Sequence, residues 1–117
     1  MGVDLQVMAS YFRERRGEML PTATVRFERD FGLFSRLSKD AVPCLVHPVS
    51  PDLKVGCYDD EGLVYRQIDR QGEPLTWITP AELAKLTVPD EVSPWNRAVL
   101  AFLTALPHDA RIVLYWC

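Results

Sequence analysis

Apolar and polar residues alternate in two runs near the beginning of the chain, which is the period of a β-strand with one buried face. In VDLQVMASYF, Leu5, Val7, Ala9 and Tyr11 point to one side and polar residues to the other. The second run, TATVRFERD, follows a segment punctuated by Gly17. The two runs predict an antiparallel hairpin of half-buried strands.

A helical period replaces the alternation after residue 30. Phe31, Phe34 and Leu37 recur every three residues, and Asp30 stands where an N-cap is favoured, so we predict a short helix here. The next segment, AVPCLVHPVSPD, contains three prolines, and each removes a backbone donor. We predict a short edge strand or an extended connection there rather than a central strand.

Three further strands are predicted between residues 53 and 78. LKVGCYDDEGLVYRQID indicates a hairpin, because two strand-like stretches flank DDEG, whose Asp and Gly residues suit a tight turn. A second turn at RQGEP leads into LTWI, which predicts a short strand.

Two helices are predicted next, each from its N-terminal signature. In TPAELAKL, Thr79 and Glu82 have the spacing of a capping box, with a proline at the first helical position. In SPWNRAVLAFLTALP, Ser93 is the expected N-cap. The apolar stripe of this second helix comprises Trp95, Val99, Phe102 and Leu106. Further apolar residues surround that stripe, so we expect a helix buried on more than one side.

The final run, ARIVLYWC, shows no alternation. A continuous apolar run of strand length is typical of a strand covered on both faces, so we predict a central strand. The competing interpretation is an exposed apolar tail that docks on a partner. The predicted fold class is α+β: a single mixed or mostly antiparallel sheet of about six strands with helices packed on it, in the order β-β-α-β-β-β-α-α-β.

Length and composition indicate a single globular domain over residues 1–117, with 48% hydrophobic residues and a net charge of −3. We expect no nucleic-acid partner, because phosphate contacts need clustered Lys and Arg. The basic cluster of the sequence is interpreted as a solvated hairpin tip and comprises Arg13, Arg15 and Arg16. We expect no membrane association either, because the sequence contains neither an apolar run of membrane-spanning length nor a signal-peptide pattern.

The three cysteines, Cys44, Cys57 and Cys117, are odd in number and irregular in spacing. This favours free thiols and a cytoplasmic location over a disulfide framework. Cys44 and His47 have C-x-x-H spacing, which leaves a zinc site conceivable. A Cys–His nucleophile, with Cys44 or Cys57 as the thiolate and His47 or His108 as the base, is a further alternative. Buried structural thiols are favoured over both. The acidic cluster DDE at 59–61 is interpreted as a turn, in preference to a metal site or an acid–base pair.

Aromatic and basic residues supply the predicted binding site. Tyr58, Tyr65 and Trp77 fall on neighbouring predicted strands, near Arg66 and Arg70. On a shared exposed face they would form a binding surface, because Tyr, Trp and Arg dominate interaction hot spots. Ordinary cross-strand packing is the alternative interpretation.

No convergent set of titratable groups is recognisable in the sequence, and no catalytic residue, metal site or cofactor motif is assigned. We therefore expect a non-catalytic module that binds another protein or forms a homo-oligomer. The alternative is a small-molecule-binding protein or enzyme whose site is lined by the aromatic and arginine residues. A pocket of several hundred Å³ would favour that alternative, whereas a flat apolar patch would favour the interaction module.

Two motifs carry a resemblance to a family. MGVDLQ, followed about 25 residues later by RDFGLFSRL, resembles small bacterial and phage proteins without an established activity, which begin Met-Gly-Cys-Asp-Ile-His and carry an Arg-Asp/Asn-Tyr-x-Leu-Phe segment. Val3 and Gln6 stand where that family has Cys and His. The resemblance therefore implies no activity and no site residue for this chain.

Overall fold

The computed structural model describes residues 3–11, 17–59 and 62–117. The predicted basic hairpin tip, and Asp60 and Glu61 of the predicted acidic turn, lie outside these ranges. The strands are β1 (Leu5–Tyr11), β2 (Glu18–Met19), β3 (Ala23–Arg26), β4 (His47–Pro48), β5 (Lys54–Asp59), β6 (Gly62–Arg66), β7 (Thr76–Ile78) and β8 (Ala110–Trp116). The helices are α1 (Phe31–Leu37), α2 (Pro80–Ala84) and α3 (Pro94–Thr104). The predicted α+β class is confirmed.

The strands form two sheets, so the prediction of a single sheet of about six strands is wrong. The larger sheet is antiparallel, with the order β3-β1-β8-β7-β4. The smaller has the order β2-β5-β6, in which β2 and β5 run parallel. Strand β2 lies in the segment that connects the first two predicted strands. It was not predicted, because a strand of two residues is too short to show a period.

The small sheet packs face to face on the large sheet, and the helices cover the opposite face. In β8, Ile112 and Leu114 join a core with the helices, while Val113 and Tyr115 join a second core with the small sheet. The prediction that the final run is a central strand covered on both faces is confirmed.

Strand β1 is also buried on both faces, which corrects the expectation of one solvated side. Gln6 and Ser10 are each 8% exposed, because their side of β1 faces the small sheet. Ser10 Oγ donates to the Leu20 carbonyl at 2.9 Å, and Gln6 Nε2 lies 3.5 Å from the Tyr58 carbonyl oxygen. Buried polar side chains on this face thus reach backbone acceptors.

The local helix signals are confirmed. Asp30 caps α1 by accepting from the Leu33 amide at 3.0 Å. Thr79 and Glu82 form the predicted capping box of α2, and the Ser93 side chain caps α3. The proline-rich segment contributes only β4, at an edge of the large sheet, as expected.

The predicted buried faces of α1 and α3 need correction. Phe31 is 90% exposed, and α1 buries Leu33 beside Phe34 and Leu37 instead. Helix α3 is buried on one side only, so Trp95 and Phe102 of the predicted stripe are 54% and 43% exposed. The apolar set was too broad to indicate which side faces the core.

One buried side chain on α3 fixes the connection between β3 and α1. Asn96 is 0% exposed, and its Oδ1 accepts from the Glu28 amide at 2.8 Å. Its Nδ2 donates to the Glu28 carbonyl at 3.0 Å. A single amide therefore satisfies both backbone groups of one residue and ties the start of α1 to the helical layer.

We expect Asn96→Ala to lower the free energy of unfolding by about 2 kcal/mol, because it deletes two hydrogen bonds and leaves their backbone partners unpaired. Urea unfolding measures the change. Ala101→Ser, at an exposed position of the same helix, is the control and should change stability by about 0.5 kcal/mol or less. Equal losses in the two variants would contradict this role for Asn96.

Candidate functional site

The five residues of the predicted binding surface do not share one site. Tyr58 and Tyr65 are 50% and 37% exposed and lie on the outer face of the small sheet. Trp77 lies on β7 of the large sheet and packs against the core between the sheets. The tyrosines and the tryptophan are therefore separated by a layer of protein.

The two arginines of the predicted binding surface, Arg66 and Arg70, make contacts with β8. The Arg66 guanidinium carbon lies 5.9 Å from the centroid of the Tyr115 ring, a cation–π arrangement that directs it between the sheets. The Arg70 amide donates to the Trp116 carbonyl at 3.0 Å. The Arg66 side chain therefore does not join the tyrosines on the outer face of the small sheet.

Trp77 lies instead between a histidine and an arginine. The His47 ring centroid is 4.5 Å from that of Trp77, and the Arg111 guanidinium carbon lies 4.0 Å from the same ring. The indole Nε1 donates to the Pro48 carbonyl at 3.2 Å. These contacts give Trp77 a packing role at the edge of the large sheet.

The residues considered for metal or thiol chemistry have different surroundings. Cys44 is exposed and its Sγ contacts the Val46 carbonyl at 3.5 Å, whereas Cys57 is buried in the core. His47 Nε2 lies 2.5 Å from Glu82 Oε2. Within residues 3–11, 17–59 and 62–117, no three His, Cys, Asp or Glu side chains are placed to hold a metal ion together.

The contact with His47 changes the electrostatics of Glu82. Burial raises the pKa of this carboxyl, but hydrogen bonds with His47 and Thr79 outweigh burial, and the net pKa is lowered from its ordinary 4.5. A carboxyl with a lowered pKa in the folded state stabilises the fold above the pKa of the unfolded chain. That contribution is lost as pH falls through the folded pKa.

We expect the difference in stability between wild type and Glu82→Gln to shrink as pH falls below 4.5. Gln keeps an oxygen for Thr79 and removes the charge, so the loss at neutral pH should be about 1 kcal/mol or less. Thermal unfolding over a pH series measures both values. A difference that stays constant down to the acid limit would show that the charge does not contribute.

A concave feature lies between α1 and the segment 69–76, beside the end of β8. It encloses about 510 Å³. Its wall is mainly apolar, with a few charged and hydroxyl side chains. The lining includes the aromatic and buried polar residues Phe31, Phe34, Asp69, Thr76 and Trp116. Arg29 and Lys39 also line it, and each of them forms an ion pair. We call this feature the α1 cavity.

Aromatic rings form one wall of the α1 cavity. Phe34 meets Trp116 edge to face, with 5.5 Å between ring centroids and 79° between ring planes. Phe34 also meets Phe27 edge to face at 6.4 Å. Phe31, almost fully exposed at the first position of α1, adds a third lining ring. Rings fixed by such contacts offer a rigid apolar surface to a ligand.

Two polar side chains in the opposite wall are buried. Asp69 is 5% exposed, and its Oδ1 accepts from the Gln71 and Glu73 amides at 2.8 and 3.1 Å. Thr76 is 8% exposed, and its Oγ1 has no hydrogen-bond partner among the residues that the structure describes. A buried hydroxyl without a partner costs free energy, which a bound ligand can offset.

Ion pairs hold the two cations of the lining. Arg29 Nε contacts Asp4 Oδ1 at 2.8 Å, and Lys39 Nζ contacts Glu73 Oε2 at 2.5 Å. The hydrogen bond with Glu73 is the main reason why the pKa of Lys39 is raised, with smaller contributions from other acidic groups nearby. The second pair joins the end of α1 to the turn that carries Asp69.

Sequence reasoning did not find this cavity. Its walls come from segments that are far apart in the chain, and no motif connects Phe34 with Asp69 or Trp116. One signal was present: Asp69 opens DRQGEP, and an Asp at that position favours a turn closed by its own carboxylate. That signal predicts the geometry of the turn but not the cavity beside it.

No family model, curated protein or solved structure matches this chain. None of the helices in the described ranges has the length and apolar character needed to cross a bilayer.

Proposed function

We propose that this protein binds a small organic molecule in the α1 cavity. The observation that carries the proposal is an aromatic-walled cavity of about 510 Å³ that also contains a buried carboxylate, Asp69, and a hydroxyl without a partner, Thr76. Known ligand sites have volumes of about 300–1,000 Å³ and combine apolar walls with a few polar groups. This was the alternative function expected from the sequence, at a different set of residues.

Binding is supported by the chemistry of the lining. Its aromatic wall is combined with carboxylates and hydroxyls, among them the buried side chains of Asp69 and Thr76. Three free cysteines support a location in a reducing compartment such as the cytoplasm. The net charge of −3 supports a ligand other than a nucleic acid.

The test is a screen of small aromatic compounds by protein-observed NMR. We expect the bound compounds to shift the amide signals of Phe31–Leu37 and of residues 69–76. Ser35→Trp, which places an indole at the lining of the cavity, should weaken binding by at least about tenfold.

Ala101→Trp adds the same side chain at an exposed position of α3, away from the cavity, and should leave the affinity unchanged. Two outcomes would overturn the proposal: shifts confined to other surfaces, or equal weakening by the two Trp variants.

A second candidate function, self-association, is favoured by the outer face of the small sheet. Leu20, Tyr58, Leu63 and Tyr65 on and beside that face are between 37% and 55% exposed. Strand β6 is the edge strand beside them, and neither Pro nor Lys interrupts its five residues. A second copy of the chain, pairing its own β6 about a twofold axis, would extend the sheet and join the two apolar faces.

Sedimentation equilibrium tests the self-association. We expect a dimer whose dissociation constant rises at least about tenfold in Leu63→Lys, because the new charge lies on the paired face. Phe102→Lys, at a similarly exposed position of the helical layer, is the control and should leave the dimer intact. A wild-type protein that stays monomeric at high concentration would exclude this candidate.

A further inference from the structure

We propose that the ligand of the α1 cavity is a cationic amine with an aromatic or other flat apolar body. This inference rests on the proposed function and adds the charge and chemical class of the ligand. The juxtaposition in one cavity of three aromatic rings and a buried carboxylate, for which no contact ion pair is found within the described residues, is what assigns that class.

Asp69 is the first part of the evidence. Its Oδ1 is used by the two amides of its own turn, while no hydrogen bond to Oδ2 and no ion pair is found in the described part of the chain. A residue that is only 5% exposed leaves its carboxylate little contact with water, and a cation beside it would add a charge-assisted hydrogen bond. A protonated amine would donate to this free oxygen.

The charge balance of the lining points in the same direction. Four carboxylates (Asp30, Asp40, Asp69 and Glu73) and two cations (Arg29 and Lys39) line the cavity, which leaves an excess of two negative charges. Both cations already contact carboxylates, Asp4 and Glu73. An anionic ligand would meet a net negative lining whose two cations are already in ion pairs, whereas a cationic ligand would reduce the excess of negative charge.

The aromatic wall supplies the second half of the recognition. Phe34 and Trp116 are fixed edge to face, so they present a formed apolar surface that can take a flat ring. An ammonium group within about 6 Å of an aromatic face also gains a cation–π attraction. Phe31, which is 90% exposed, can cover such a ligand from the rim of the cavity.

Three matched probes test the class: 2-(1-naphthyl)ethylamine, 2-(1-naphthyl)ethanol and 1-naphthylacetate. They share one apolar body and differ in charge, and protein-observed NMR gives the affinity and the location for each. We expect all shifts to map to the α1 cavity, with the amine binding about tenfold more tightly than the alcohol and the acetate binding most weakly.

Asp69→Asn is the decisive variant, because the amide keeps an oxygen for the Gln71 and Glu73 N–H groups and removes the charge. It should reduce the affinity for the amine about tenfold and leave the affinity for the alcohol unchanged. Asp109→Asn, at an exposed turn before the opposite end of β8, is the matched control and should change neither affinity.

The outcomes separate this inference from the function on which it rests. If the alcohol or the acetate binds in the cavity as tightly as the amine, the cavity binds ligands but the cationic class is wrong. If the amine loses affinity equally in the two Asn variants, Asp69 does not recognise it. If none of the three probes binds the cavity, the inference and the proposed function fail together.

Discussion

The structure depends on a five-stranded sheet that is buried on both of its faces. Strand β8 lies at its centre, and successive side chains alternate between a helix-facing core and a core shared with the small sheet. Each face needs its own cover, since an apolar sheet face left in water would cost about 25 cal/mol for every Å² exposed. The three layers of the fold follow from this requirement.

Because the strands around β8 are buried, polar side chains near them need hydrogen-bond partners within the protein. Gln6 and Ser10 on the neighbouring strand reach backbone carbonyls, and Asn96 serves both backbone groups of Glu28. The hydroxyl groups of Thr76, on β7, and Thr24, on β3, have no hydrogen-bond partner within the described residues. Of these two, Thr76 lies in the wall of the α1 cavity, where a ligand could supply the missing hydrogen bond.

The cavity lies beside the short helix α1. Seven helical residues span about 10 Å, so α1 covers only part of a sheet whose five strands are spaced about 4.8 Å apart, and α2 and α3 cover other parts of the same face. Phe34 packs on Trp116 and closes one side, while the turn opened by Asp69 closes the other. Asp69 uses one oxygen to hold that turn, and no hydrogen bond to its second oxygen is found within the described residues.

The sequence by itself determined the kind of element at most positions and the central place of β8. Alternation, capping residues and prolines act over a few residues, so their effects can be recognised locally, as at Thr79 and Glu82. The absence of alternation in the last run was sufficient to indicate cover on both faces.

Only the tertiary structure decided how the strands divide between sheets, which side of α3 is buried and where a cavity forms. A period of two is the same whether strands share one sheet or face each other in two, and a broadly apolar helix has no preferred side until a partner selects one. The α1 cavity joins residues more than 80 positions apart in the chain, such as Phe34 and Trp116. Their meeting is set by packing, for which no local pattern exists.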